Sequence, residues 1–244
     1  MTPPRLTRPL PVLLPALLLV LLVPLLAATL GPVPEASAAT VRLDGVDVTL
    51  ASGTTQVITV RHTRAWHARV TFWRSTSAGW QAVLRTRDGR TGYGGLVAGS
   101  QRRQGTGTTP LGTFRLPSAF GTRARAAGWS LGYRRIHRGD FWVEDNASRY
   151  YNRYRNQRQG GFRWRLPASD ENSSERLSDY PLQYELSIVT SFNHAQVRHR
   201  GAGIFVHVNG DGATAGCVSA PRWFLRGLMA RLDPRQVPVV AIGR

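Results

Sequence analysis

Residues 41–88 alternate apolar and polar side chains over short stretches, broken by turn signals such as Ser77-Ala78-Gly79. Gln56-Val57-Ile58-Thr59-Val60, residues 68–73 and residues 80–85 are short and rich in β-branched and aromatic residues, which predicts strands. Further strands are expected at Phe141-Trp142-Val143, over 184–192, over 204–208 and at Pro238-Val239-Val240-Ala241-Ile242. A helical period shows near the C-terminal end. Phe224, Leu225, Leu228 and Leu232 recur at spacings of three and four, so residues 221–232 predict a helix packed by one face, ended by Asp233-Pro234. Ser219-Ala220-Pro221 reads as its start, with a hydroxyl cap and a proline near the first helical position. No internal repeat and no second domain is visible. The pattern predicts a mainly β single domain with short helices, in which residues 39–90 are the N-terminal strands of the same globular unit.

A different pattern precedes it. Arg5 and Arg8 lead into an apolar run over 12–30, broken by Pro15 and Pro24 and followed by the small-x-small site Ala36-Ser37-Ala38. Residues 1–38 therefore read as a signal peptide with a mature start at Ala39. The run is longer than a usual signal core, so an uncleaved anchor is the alternative. The expected location is exported and extracytoplasmic, at the cell wall or membrane. No cysteine stands directly after the run, which excludes a lipoprotein anchor.

Charge narrows the partners. The 244 residues carry a net charge of +18, with 32 Lys and Arg against 14 Asp and Glu, and every one of those bases is arginine. A chain without lysine has no P-loop lysine, no Schiff base and no Ser-x-x-Lys acyltransferase site. Behind a leader, such basicity suits anionic wall polymers, headgroups and peptide carboxylates rather than nucleic acid. Residues 149–165 interleave Arg149, Arg153, Arg155, Arg158, Arg163 and Arg165 with Tyr150, Tyr151, Tyr154, Phe162 and Trp164. They read as a solvated, mobile loop, or else as a lid or wall-contact loop.

Cys217 is the only cysteine, so there is no intrachain disulfide and no Cys-cluster zinc site. His194 and His199 have no carboxylate at useful spacing, and no His-Glu-x-x-His occurs, so neither metal nor cofactor is expected. His62, His67 and His137 read as structural or surface residues. His207 ends the apolar run 204–208. A loop with Gly210, Gly212 and Gly216 leads from it to Cys217, just before the expected helix start. An imidazolium or helix N-terminus near the thiol favours thiolate, and the amides of Gly216 and Cys217 are candidates for holding an oxyanion. The competing reading makes Cys217 a small buried hydrophobe and His207 an ordinary strand residue.

Thr214-Ala215-Gly216-Cys217-Val218-Ser219, preceded by His207 on a strand, resembles the active-site signature of the YkuD-type L,D-transpeptidases. Thr109-Pro110-Leu111-Gly112-Thr113-Phe114 resembles that family's second hallmark, and by itself reads as a tight turn leading into a strand. The likeness spans about 92–242 and departs at Ala215, where the family has a second histidine, at Ser219, where it has Asn or Arg, and in a shorter His-to-Cys spacer. It implies a YkuD-type β-sandwich with a cysteine cleft, residues 91–244 being the catalytic part, acting on peptidoglycan stem peptides. Cys217 would be the nucleophile and His207 the base, with Gly216 in the oxyanion site. Thr214, Asn209 and Ser219 would contact substrate. The same mechanism with water as acceptor would give an L,D-carboxypeptidase, and loss of catalysis a wall-binding module.

Overall fold

A computed structural model describes residues 39–244; the leader reading on residues 1–38 lies outside the described residues. The chain runs through β1 (Ala39–Leu43), β2 (Val46–Leu50), β3 (Gln56–Arg64), β4 (His67–Thr76), β5 (Gly79–Arg90) and β6 (Leu96–Ala98). It continues through β7 (Thr109–Arg115), β8 (Ser118–Gly121), β9 (Tyr133–Arg135), β10 (Asp140–Trp142), β11 (Tyr154–Asn156) and β12 (Glu175–Arg176). It ends with β13 (Ser187–Val189), β14 (Phe205–Val208), β15 (Val218–Ala220), the helix α1 (Arg222–Met229) and β16 (Val239–Gly243). The architecture is mainly β and the described residues form one unit.

Eleven strands make one sheet in the order β6-β7-β16-β3-β4-β5-β15-β14-β13-β8-β9. The sheet is curled. Ile58, Val60, Val70 and Phe72 from β3 and β4 share a core with Ile188, Val206 and Val218 from β13–β15, far along that order. Phe224, Leu225 and Leu228 of α1 enter the same core, and each is fully buried, which is worth about 1.5–3 kcal/mol per side chain. The opposite face of β3 and β16 is covered by the β1–β2 hairpin, where Val46 and Val48 meet Val57, Val239 and Ala241. Both faces of β3 are thus buried, which is why Gln56-Val57-Ile58-Thr59-Val60 is buried at every position rather than at alternate ones.

Three expectations are corrected. The string from Thr109 does not turn before its strand: β7 begins at Thr109, and Pro110 sits at the end where its neighbour is the short parallel β6. Only Ser187–Val189 of the expected 184–192 strand is in the sheet, because Tyr184 N–H bonds back to Tyr180 O and makes a helical turn. Residues 149–165 are packed into the fold rather than a solvated loop. Tyr151 is fully buried, Phe162 packs on Phe141 and Val143, and β11 pairs with β10 in a three-stranded sheet with β12.

Candidate active site

The register of the central strands puts the predicted pair on one face of the sheet. His207 on β14 pairs with Ser219 on β15 in parallel and with Ser187 on β13 antiparallel, so the three side chains share one face. Cys217 stands two positions before Ser219 and takes that same face. Parallel neighbours ordinarily need a crossover of about a dozen residues or more. Here a short loop must return the chain, and Gly216 at φ +129 serves that turn. A Cβ there would come within 2.8 Å of Thr108 O.

The loop is held by threonines. Thr109, fully buried, donates from Oγ1 to Gly216 O at 2.8 Å and accepts from Gly92 N at 2.7 Å. The two sequence hallmarks, distant in the chain, are therefore bonded to each other. Thr214 Oγ1 donates to Cys217 O at 2.6 Å and accepts from Gly216 N at 3.2 Å. Gly92 bridges to Thr214, and a Cβ on it would overlap Gly107 O, so the glycine-rich stretch near 91–107 is a close-packed wall of the cysteine loop.

His207 and Cys217 line a cleft of about 680 Å³, with Tyr93, Arg102, Glu144, Glu175, Tyr184 and Thr214 among the other lining residues. His207 Nδ1 lies 2.8 Å from Val208 O. A carbonyl only accepts, so Nδ1 carries the proton and Nε2 keeps its lone pair. Burial pulls the imidazole down to about 4, so it is neutral at pH 7. Cys217 accepts from Phe205 N at 3.3 Å and donates to Gly203 O at 3.1 Å. Burial, and then the charge of Glu175, pushes the thiol up to about 12. Burial thus favours a neutral thiol beside a neutral imidazole at rest, with the proton transfer left to the reaction.

Other predicted residues fall elsewhere. Ser219 is no helix cap: it lies inside β15, because its backbone pairs with β14, and the helix begins after Pro221 with no side-chain cap. It is fully buried, beside His207 rather than in the cleft lining, and neither its hydroxyl nor that of Ser187 has a partner among the described residues. Asn209 is tied away from the cleft, donating to Asp88 O at 2.9 Å and Asp88 Oδ2 at 3.0 Å. Thr214 lines the cleft, but its hydroxyl is already engaged within the loop. Gly216 is in place, yet its amide donates to Thr214, which leaves Cys217 N–H as the candidate oxyanion donor.

No family model matches the chain, and no curated protein matches it.

Two buried carboxyls wall this cleft, Glu144 and Glu175, to neither of which the sequence assigned a role. Glu175 on β12 pairs in register with Trp142 on β10, and Glu144 follows β10. Burial raises both carboxyls, and the charge of Glu175 raises Glu144 further. Tyr184 OH donates to Glu175 Oε1 at 2.5 Å, and the Tyr184 ring meets the His207 ring edge-on at 5.5 Å. Glu144 ends an apolar run and is one of few acids in the chain, the one sequence signal that marks it. Among the described residues, no group of three or more His, Cys, Asp or Glu side chains is placed to hold a metal.

Proposed function

We propose that this chain is an exported cysteine acyltransferase that forms 3→3 cross-links in peptidoglycan, an L,D-transpeptidase with the β-sandwich of the YkuD-type domain. The observation that carries this reading is the convergence of three sequence-distant features. Cys217 and His207 share one face of the sheet and one cleft, and Thr109 of the second hallmark string is bonded to Gly216. The curled sheet, with both halves around one core, supports the sandwich.

Substrate turns the thiol from Gly203 O toward His207 Nε2. As Sγ bonds to the carbonyl carbon between the third stem residue and terminal D-Ala, Nε2 takes the thiol proton. The carbonyl π pair moves to oxygen. On collapse the C–N bond breaks, and His207 returns the proton to the leaving amine of D-Ala. A side-chain amine of a second stem then attacks the thioester, gives a proton to His207, and displaces the Cys217 thiolate, which His207 reprotonates. The neutral resting pair fits this scheme: Val208 O fixes the tautomer and leaves Nε2 open as base.

The test is intact-mass analysis of the mature protein with a tetrapeptide-stem fragment, beside Cys217→Ala, with released D-Ala assayed. D-Ala release and an acyl adduct on wild type alone are expected, with cross-linked dimer as product. Tripeptide without dimer would redirect the reading to an L,D-carboxypeptidase. Neither adduct nor D-Ala from folded, reduced protein would overturn acyl transfer and leave a wall-binding module.

A further inference from the structure

Among the arginines of residues 39–244, Arg102 alone is buried, at 4% exposure. Its guanidinium is fixed on three sides. Nε donates to Thr108 O at 2.8 Å, Nη1 donates to Arg200 O at 3.1 Å, and the group stacks 5.5 Å from the Phe192 ring centroid. Two glycines make room for it. A Cβ on Gly201, where φ is +97, would overlap Nη1, and a Cβ on Gly216 would fall 2.9 Å from Nη2. Nη2 is the one guanidinium nitrogen without an acceptor among the described residues, and Arg102 lines the cysteine cleft.

A buried cation with no carboxylate in ion-pair contact costs several kcal/mol. Two carbonyls offset part of that cost and do not neutralise the charge. Glu144 attracts Arg102 only at longer range than a salt bridge, and burial raises that carboxyl, which weakens the attraction. The backbone leaves one donor, Cys217 N–H, where an acyl transfer calls for more than one. Gly216 N–H is bonded to Thr214, and Ser219, expected to contact substrate, lies buried in β15 outside the cleft lining. A preorganised cation with one free N–H edge beside Gly216 and Cys217 is what a developing anion at that point requires.

We propose that Arg102 is the anion-stabilising catalytic residue of the Cys217 site, its Nη2 donating to the oxyanion formed when Cys217 attacks an acyl donor. This rests on the acyl-transfer reading of the site. When the Sγ–C bond forms, the carbonyl π pair goes to oxygen, where Nη2 and Cys217 N–H hold it, while the thiol proton goes to His207. The pair returns as the C–N bond breaks, and the proton leaves with the amine. The arginine, far upstream in the chain, thus supplies what position 219 does not.

The experiment compares wild type with Arg102→Met and with Arg102→Gln, a neutral amide that still donates hydrogen bonds. Two readouts are taken: kcat and KM for D-Ala release, and alkylation of Cys217 by anionic iodoacetate relative to neutral iodoacetamide. Both variants are expected to lower kcat by about 10²–10³-fold with KM within about threefold. The iodoacetate-to-iodoacetamide ratio should fall roughly fivefold or more, because the cation no longer draws an anion to the thiol. A wild-type ratio in either folded variant overturns the proposal, and Arg102→Gln decides if Arg102→Met does not fold. If wild type releases no D-Ala but the ratio still falls in the variants, the anion site stands and the transpeptidase reading fails.

Discussion

The strands β3, β4 and β16 and the strands β14 and β15 belong to one sheet and treat buried polar groups in opposite ways. In the first region they are paired: Trp73 Nε1 donates to Thr59 Oγ1, and Gln56 both donates to Arg231 O and accepts from Asp233 N. In the second and the cleft beside it, among the described residues, the Ser187 and Ser219 hydroxyls have no partner, Arg102 is in ion-pair contact with no carboxylate, and Glu144 and Glu175 line one wall. Unpaired buried groups cost about 1–3 kcal/mol each. The paired, aliphatic region supplies stability that offsets the cost of the unpaired groups around the cleft.

Breaking the stable region should have the largest effect. Phe72→Ala empties a fully buried site and should cost about 3–5 kcal/mol in urea unfolding, with activity of the folded fraction unchanged. Equal loss of specific activity at low denaturant would show that the two regions are not separable. Thr109→Val acts on the seam between them. It leaves Gly92 N–H and Gly216 O without their partner, so about 1–3 kcal/mol of stability should go, with a larger proportional loss of activity. Thr109→Ser keeps the hydroxyl and should recover both; if it does not, the hydrogen bonds are not what matters.

The smallest effect concerns pH. The folded carboxyl of Glu144 is raised, so the folded state binds its proton more tightly than the unfolded state does. Stability from this group is therefore full at low pH and falls as pH rises from about 4.5 through the raised value. Glu144→Gln cannot ionise and should escape that fall, so its Tm at pH 9 should lie above that of wild type. Wild type and variant should agree below pH 4.5. Parallel Tm–pH profiles for the two proteins would mean that Glu144 is not held protonated.

The sequence by itself determined the β character, the three long strands β3–β5, the apolar face of α1 and the short strand carrying His207. Those depend on local period and residue type, which neighbours in the chain specify. It also singled out Cys217, because a lone thiol in a glycine-rich loop stands out in composition. Only the tertiary structure decided the rest. Pairing of β14 with β15 turned the expected cap at Ser219 into a strand, since a parallel ladder satisfies the backbone that a cap would otherwise serve. Packing made an ordered wall of residues 149–165, where arginine-rich composition alone pointed to a solvated loop. Arg102 was one arginine among many until burial set it apart, and Glu144 and Glu175 acquired raised pKa values only by being enclosed together. Desolvation and long-range register depend on what the rest of the chain places around a residue, and no local pattern encodes that.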